Sequence, residues 1–240
     1  MSKEVMTDIV ISLYNYEKYI RDCIESCLAN KGTRIILVDD CSTDGGLEIA
    51  KKYKDEIKII ELKENRGVSH ARNVGLRNTS HEYIQLLDAD DMLTPESIKH
   101  RAEYLDTHDR DIVAGPCFKV RDDRSYEECI NTILPLHPSD NPICAFLFRR
   151  KVFEEFGLFN ERLRSKEDKA FFYKVGIHRN SRMPRSKFKK IDFAAAIVRR
   201  HGDSKRKKRA KNLDFEIRTN LEFDKYMKGL ELNGIQEELL

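Results

Sequence analysis

Long apolar runs are missing from this sequence. No uncharged stretch approaches the roughly 18 to 20 residues of a membrane-spanning helix, and charged residues make up 35% of the 240. A spanning helix is therefore excluded. The one apolar stretch near the start, residues 9–16, lacks a small-residue cleavage site and follows Glu4 and Asp8, which argues against a signal peptide and for a first strand.

Closely paired cysteines are missing too. The six cysteines, at 23, 27, 41, 117, 129 and 144, show no C-x₂-C zinc spacing and are too sparse for a disulfide scaffold. A reducing, cytoplasmic setting is expected, with Cys23 and Cys27 as small buried residues on one helix face. Glycine-rich phosphate cradles are also absent. The turn after the first strand, Leu13-Tyr14-Asn15-Tyr16-Glu17, contains neither G-x-G-x-x-G nor G-x-x-x-x-G-K, which disfavours dinucleotide enzymes and P-loop ATPases. A nucleotide would need other contacts: an aromatic face such as Tyr14, base-edge hydrogen bonds to Asp40, and a metal bridging its diphosphate.

Charge is plentiful but uneven. The net charge is only +3, yet residues 178–211 hold 14 Lys/Arg against Asp192 and Asp203, a local balance of +12 that leaves −9 for the remainder. Such asymmetry signals an anionic partner, whether phosphate, nucleic acid or lipid headgroup, against the plain alternative of a solvated basic face.

Strand signals fall at 8–13, 34–38, 57–62, 82–87, 112–120 and 191–198, and helical periodicity at 17–29, 44–53, 67–76, 95–105, 151–156 and 167–175. This alternation predicts an α/β fold with a mostly parallel central sheet flanked by helices. Thr94-Pro95-Glu96 reads as a helix start, with Thr94 as N-cap and Pro95 at the first helical position. Residues 144–148 are apolar, and 121–141, charged and proline-punctuated, fits an extended hairpin or a loop over an active site. Beyond the basic run, 213–227 is an amphipathic helix. The expected division is a main domain at 1–204 and a basic segment with its helix, 205–240, packed on it.

Carboxylates concentrate where an open α/β sheet binds ligands, beyond the carboxyl ends of strands. Asp39 and Asp40 end one strand and Asp88-Ala89-Asp90-Asp91 another. Three acids in four residues repel unless solvated or neutralised, and a hard divalent cation would neutralise them; a turn of N-capping aspartates is the alternative.

The ordered series resembles glycosyltransferase family 2, whose fold is the Rossmann-like GT-A fold. Residues 10–16 (VISLYNY) resemble its opening strand, 38–44 (VDDCSTD) its V-D-D-x-S-x-D turn, and 64–75 its N-x-G...A-R-N-x-G segment. Asp88-Ala89-Asp90-Asp91 is similar to its D-x-D element, 156–161 (FGLFNE) leading to Glu167-Asp168 to its G-x-F-x-E...E-D pattern, and 200–204 (RHGDS) to its late R-x-H-x-x-S motif. Together these cover residues 8–204. Each motif is weak alone; the order is specific.

The resemblance implies an inverting, metal-dependent transfer of one sugar from a nucleoside diphosphate sugar, a UDP-sugar for choice, to an acceptor hydroxyl. It implies Ser12, Tyr14, Asp40 and Arg72 around the base, Asp88 near the ribose, Asp90 and His201 on Mn²⁺ or Mg²⁺, and Asp168 as general base. Asp91, Glu167, Arg199 and Arg200 would support them. The chain has no tryptophan, and Phe172 stands where the family often has one in the helix after the acidic pair. The same lack removes the Q-x-x-R-W element of processive synthases, implying single additions of a hexosyl or pentosyl unit. Saccharide or lipid-linked glycan is the family acceptor. Lys205, Arg206, Lys207, Lys208 and Arg209 are more cation than one diphosphate needs, so a hydroxymethylated base in DNA is the rival acceptor, and a non-catalytic nucleic-acid-binding protein the second alternative.

Overall fold

A computed structural model describes residues 6–121, 125, 128, 142–177 and 187–200. The helix expected at 213–227, the 205–240 unit, and most of 121–141 lie outside the described residues.

The first half alternates as expected: β1 (Thr7–Leu13), α1 (Ile20–Leu28), β2 (Thr33–Asp39), α2 (Gly46–Ala50), β3 (Lys58–Glu61), α3 (Val68–Arg77) and β4 (Tyr83–Asp88). Then follow β5 (Met92–Leu93), α4 (Ser97–Thr107), β6 (Ile112–Ala114), β7 (Cys117–Arg121), β8 (Phe146–Arg149), α5 (Lys151–Phe156), α6 (Glu167–Lys174), β9 (Phe188–Lys190) and β10 (Ala196–Arg200). A seven-stranded sheet runs β3-β2-β1-β4-β8-β6-β9, and a three-stranded one β5-β10-β7. β1 pairs in parallel with both β2 and β4, whereas β8 is antiparallel to β4 and β6.

β1 is buried along its whole length, which explains its near-continuous apolar run. Its one acid is matched: Asp8 accepts from Arg34 Nε at 2.7 Å and from the amides of Ser80 and His81 at 2.7 and 2.8 Å, tying β2 and the approach to β4 to the central strand.

Three expectations are corrected. The strand expected over 112–120 is two strands in different sheets, broken at Gly115-Pro116: Pro116 has no N–H for a ladder, and a Cβ on Gly115 would lie 2.2 Å from the Phe193 carbonyl oxygen. The strand expected over 191–198 begins at Ala196, because Ile191 and Ala195 donate to Ala114 and Pro116 across that break. Thr94 does not cap α4. Its hydroxyl donates to the Ala194 carbonyl at 2.6 Å, and the helix starts at Ser97 after Glu96 in left-handed geometry (φ 56°).

α3 lies close on β1 because Gly75 has no side chain: a Cβ there would stand 2.2 Å from Val10 Cγ1. Gly75→Ala is expected to lose about 1–3 kcal/mol in urea unfolding, with Val10→Ala in the same chain recovering part of it. A loss below about 0.5 kcal/mol would contradict this packing.

Candidate active site

Strand order reverses beside β1, which has β2 on one side and β4 on the other. At such a switch point the connections leave in opposite directions and open a crevice at the strands' carboxyl ends. A cleft of about 660 Å³ occupies this place, lined in part by Ser12, Tyr14, Tyr16, Asp40, Arg72, Asp88, Asp90 and Glu167.

On the β2 side, acids shape turns. Asp39 accepts from the Ser42 amide at 3.1 Å, and Asp44 accepts from the amides of Gly46 and Glu17, both at 2.9 Å. Asn15 accepts from the Thr43 amide at 2.6 Å and joins the turns after β1 and β2. Asp40 lines the cleft, but each of its carboxylate oxygens already accepts a backbone N–H, from Arg66 at 2.9 Å and from Gly67 at 2.7 Å. It thereby holds the start of α3, where Gly67 takes φ 92°, a conformation that glycine adopts without steric penalty.

α3 delivers Arg72, whose side chain is 3% exposed, to the cleft wall. Its Nη2 donates to Asp88 Oδ1 at 2.6 Å and its Nη1 to Glu167 Oε1 at 3.2 Å, while the guanidinium lies 5.5 Å from the centre of the Phe159 ring. Burial opposes this charge, but Asp88, Glu167 and Asp168 outweigh it and hold the pKa above the usual arginine value. Ser12 also donates to Asp88 Oδ1, at 3.3 Å.

One carboxylate oxygen from each of Asp88, Asp90 and Asp91 lies within 4.8 Å of the others. Three hard, like-charged oxygen donors fit Mg²⁺ or Mn²⁺. Their settings differ. Asp88 and Asp90 line the cleft, whereas Asp91 is buried, accepting from the Arg199 amide at 3.1 Å and from the Cys144 thiol at 3.4 Å. Burial, and then Asp90 and Asp88, push its pKa well above the ordinary aspartate value. Tyr16 hydrogen-bonds Asp90, and burial together with the three acids raises its pKa.

Asp168 is half-buried beside Glu167 at the start of α6. Burial and then Glu167 raise its pKa, against a lowering by Arg72. The Arg199 guanidinium is directed to Asp22 at 2.8 Å and lies 5.0 Å from the Tyr19 ring centre, so that its amide, not its charge, serves the acidic cluster. Phe172 is buried in the core, 4.5 Å from Phe146 between ring centres. The side chain of Arg200, together with His201 and Lys205 to Arg209, lies outside the described residues. Sequence reasoning missed Tyr16, Asn65, Arg66 and Arg164 on the cleft wall; Tyr16, Asn65 and Arg66 stood within quoted motifs, while Arg164 has no local signal.

The family model for glycosyl transferase family 2 matches residues 8–204. The chain belongs to this family. An uncharacterized glycosyltransferase of Rickettsia conorii is 30% identical over 188 residues, 71% of this chain and 31% of the relative. The poly(ribitol-phosphate) beta-N-acetylglucosaminyltransferase TarS of Staphylococcus aureus is 32% identical over 112 residues, 44% of this chain and 20% of that protein. The chain thus spans about a third or less of these relatives. A TarS structure in complex with UDP-GlcNAc superposes with a TM-score of 0.66 at 22% identity, covering 83% of this chain and 60% of that one. A mannosyltransferase of Pyrobaculum calidifontis in complex with GDP-Man and Mn²⁺ gives 0.59 at 15% identity, covering 85% of this chain and 59% of that one. These likenesses establish the GT-A fold. Among the described residues no helix is long and apolar enough to cross a membrane.

Arg72→Met would leave Asp88 and Glu167 without their shared cation. Removing one partner of a buried ionic group typically destabilises by about 3–5 kcal/mol. Urea unfolding should show a loss of that order, partly recovered by Arg72→Lys; unchanged stability would contradict the bridging role.

Proposed function

We infer that this family 2 member transfers one hexosyl or pentosyl unit from a nucleoside diphosphate sugar, a UDP-sugar for choice, to an acceptor hydroxyl with inversion. The observation that carries the reading is the cleft itself: a cluster of acids at the β4 end faces, through Arg72, a second acidic pair on α6. The UDP-GlcNAc complex of the TarS neighbour supports the donor class. The family model's end at residue 204 supports a catalytic unit over 1–204, with 205–240 as an appended basic segment.

Tyr14, half-exposed on the cleft wall, offers a face for the base, with Ser12, Asp40 and Arg72 around it and Asp88 towards the ribose. Asp90, with Asp88 beside it and His201 from the late motif, would hold Mn²⁺ or Mg²⁺. The ion, when bound, stabilises negative charge on the departing diphosphate. Asp168 takes the proton from the acceptor oxygen on its carboxylate as that oxygen attacks the anomeric carbon, and its raised pKa brings it nearer the working pH of a base. No covalent intermediate is required.

Saccharide or lipid-linked glycan is the acceptor we favour. The local balance of +12 over 178–211 keeps hydroxymethylated DNA as the second reading, and duplex binding decides it: affinity that falls steeply with salt would support DNA, and no binding at low salt would exclude it.

Sugar-nucleotide turnover should stop in excess chelator, and Asp90→Asn should reproduce the effect; full activity in chelator would overturn the metal assignment. Asp168→Asn should lose at least a hundredfold in kcat while donor affinity stays within about threefold. Because only the unprotonated carboxylate accepts a proton and its pKa is raised, the wild-type rate should fall on acidification at a pH above the ordinary aspartate range. If donor affinity falls while bound donor still turns over, Asp168 is a binding residue.

A further inference from the structure

α3 serves the cleft with one residue and grips a loop with the next. While Arg72 reaches Asp88 and Glu167, Asn73, only 2% exposed, turns to the segment between α5 and α6. Asn73 Oδ1 accepts the N–H of Phe159 at 3.0 Å and Nδ2 donates to the Phe159 carbonyl at 2.9 Å. One side chain thus pairs both backbone groups of a loop residue, as a neighbouring strand would. Aspartate could not donate here, and glutamine is a methylene too long.

The same Nδ2 donates to Glu161 Oε1 at 2.9 Å, and Glu161 Oε2 lies 2.8 Å from Nδ1 of His70, one turn earlier on α3. Guanidinium nitrogens of Arg66 and Arg77 stand 3.6 and 3.7 Å away. Past this point Asn160 Oδ1 accepts the Arg162 amide at 3.0 Å, Arg164 donates to the Arg66 carbonyl at 3.0 Å, and Lys166 (φ 58°) turns the chain into Glu167 and Asp168. The segment that leads into the acidic pair is therefore fastened to α3, the helix that carries Arg72. Neither Asn73 nor Glu161 lines the cleft.

We propose that Asn73 and Glu161 are positioning residues for the transfer step, a clamp that sets where Asp168 stands relative to Arg72 and the donor. The proposal rests on the assignment of Asp168 as acceptor base. Displacement of a reacting group by about 1 Å costs on the order of a hundredfold in rate, so the clamp governs turnover more than donor affinity.

The test uses Glu161→Gln and Asn73→Asp, near-isosteric changes, with Glu161→Asp as the milder variant should either fail to unfold cooperatively. Nucleoside diphosphate release from a panel of UDP-GlcNAc, UDP-glucose and GDP-mannose is measured with Mn²⁺ and water as acceptor, and affinity for the sugar nucleotide used is measured by calorimetry. In both variants kcat should fall tenfold or more with donor Kd and KM within threefold. The double variant should be little worse than the worse single, because the two residues act as one device. Folded variants that keep kcat within twofold, or that raise KM with kcat unchanged, overturn the clamp. A wild type that turns over none of the panel overturns the transferase reading beneath it, an outcome distinct from an active wild type with indifferent variants.

Discussion

The buried guanidinium of Arg72 is the interaction on which the site depends. It joins the carboxyl end of β4, through Asp88, to the start of α6, through Glu167, and so closes the cleft between two parts of the chain that are far apart in sequence. A charge this buried persists only because two carboxylates answer it, and neither would tolerate the other at this range without it. The bridge therefore fixes geometry more than it adds net stability.

Its surroundings all restrict where Arg72 can be. Gly75 lets α3 approach β1, Asp40 holds the helix start through the amides of Arg66 and Gly67, and Phe159 lies against the guanidinium. The acidic cluster is graded in the same way. Asp91 is turned inward to the Arg199 amide and the Cys144 thiol, which leaves Asp88 and Asp90 to face the cleft. Identical residue types in one tetrapeptide thus acquire different settings from burial and from their hydrogen-bond partners.

Much of this was legible in the residues. The apolar runs of β1, β2 and β4, with the carboxylates that end β2 and β4, give the parallel core and the cleft's position, because period and burial are local properties of a strand. The second sheet was not legible: β5 is two residues long, and β7 and β10 are separated from β6 and β9 by breaks that only tertiary contacts enforce. The start of α4 was misread because Thr94 has a better partner, the Ala194 carbonyl, than the helix it precedes. Asp40 and Arg199 show the same limit. Their motifs do not disclose that Asp40, on the cleft wall, also accepts the amides of Arg66 and Gly67, or that the Arg199 guanidinium reaches Asp22. Spacing reveals which residues cluster but not which partner each side chain chooses.

The most direct measurement is a crystal structure of the protein with UDP-GlcNAc and Mn²⁺. The expected result is a diphosphate beside Asp88 and Asp90, the Arg72 bridge intact, and the Asp168 carboxylate on the face of the sugar opposite the leaving diphosphate, as inversion requires. A nucleotide bound outside this cleft, or Asp168 on the same side as the diphosphate, would contradict it.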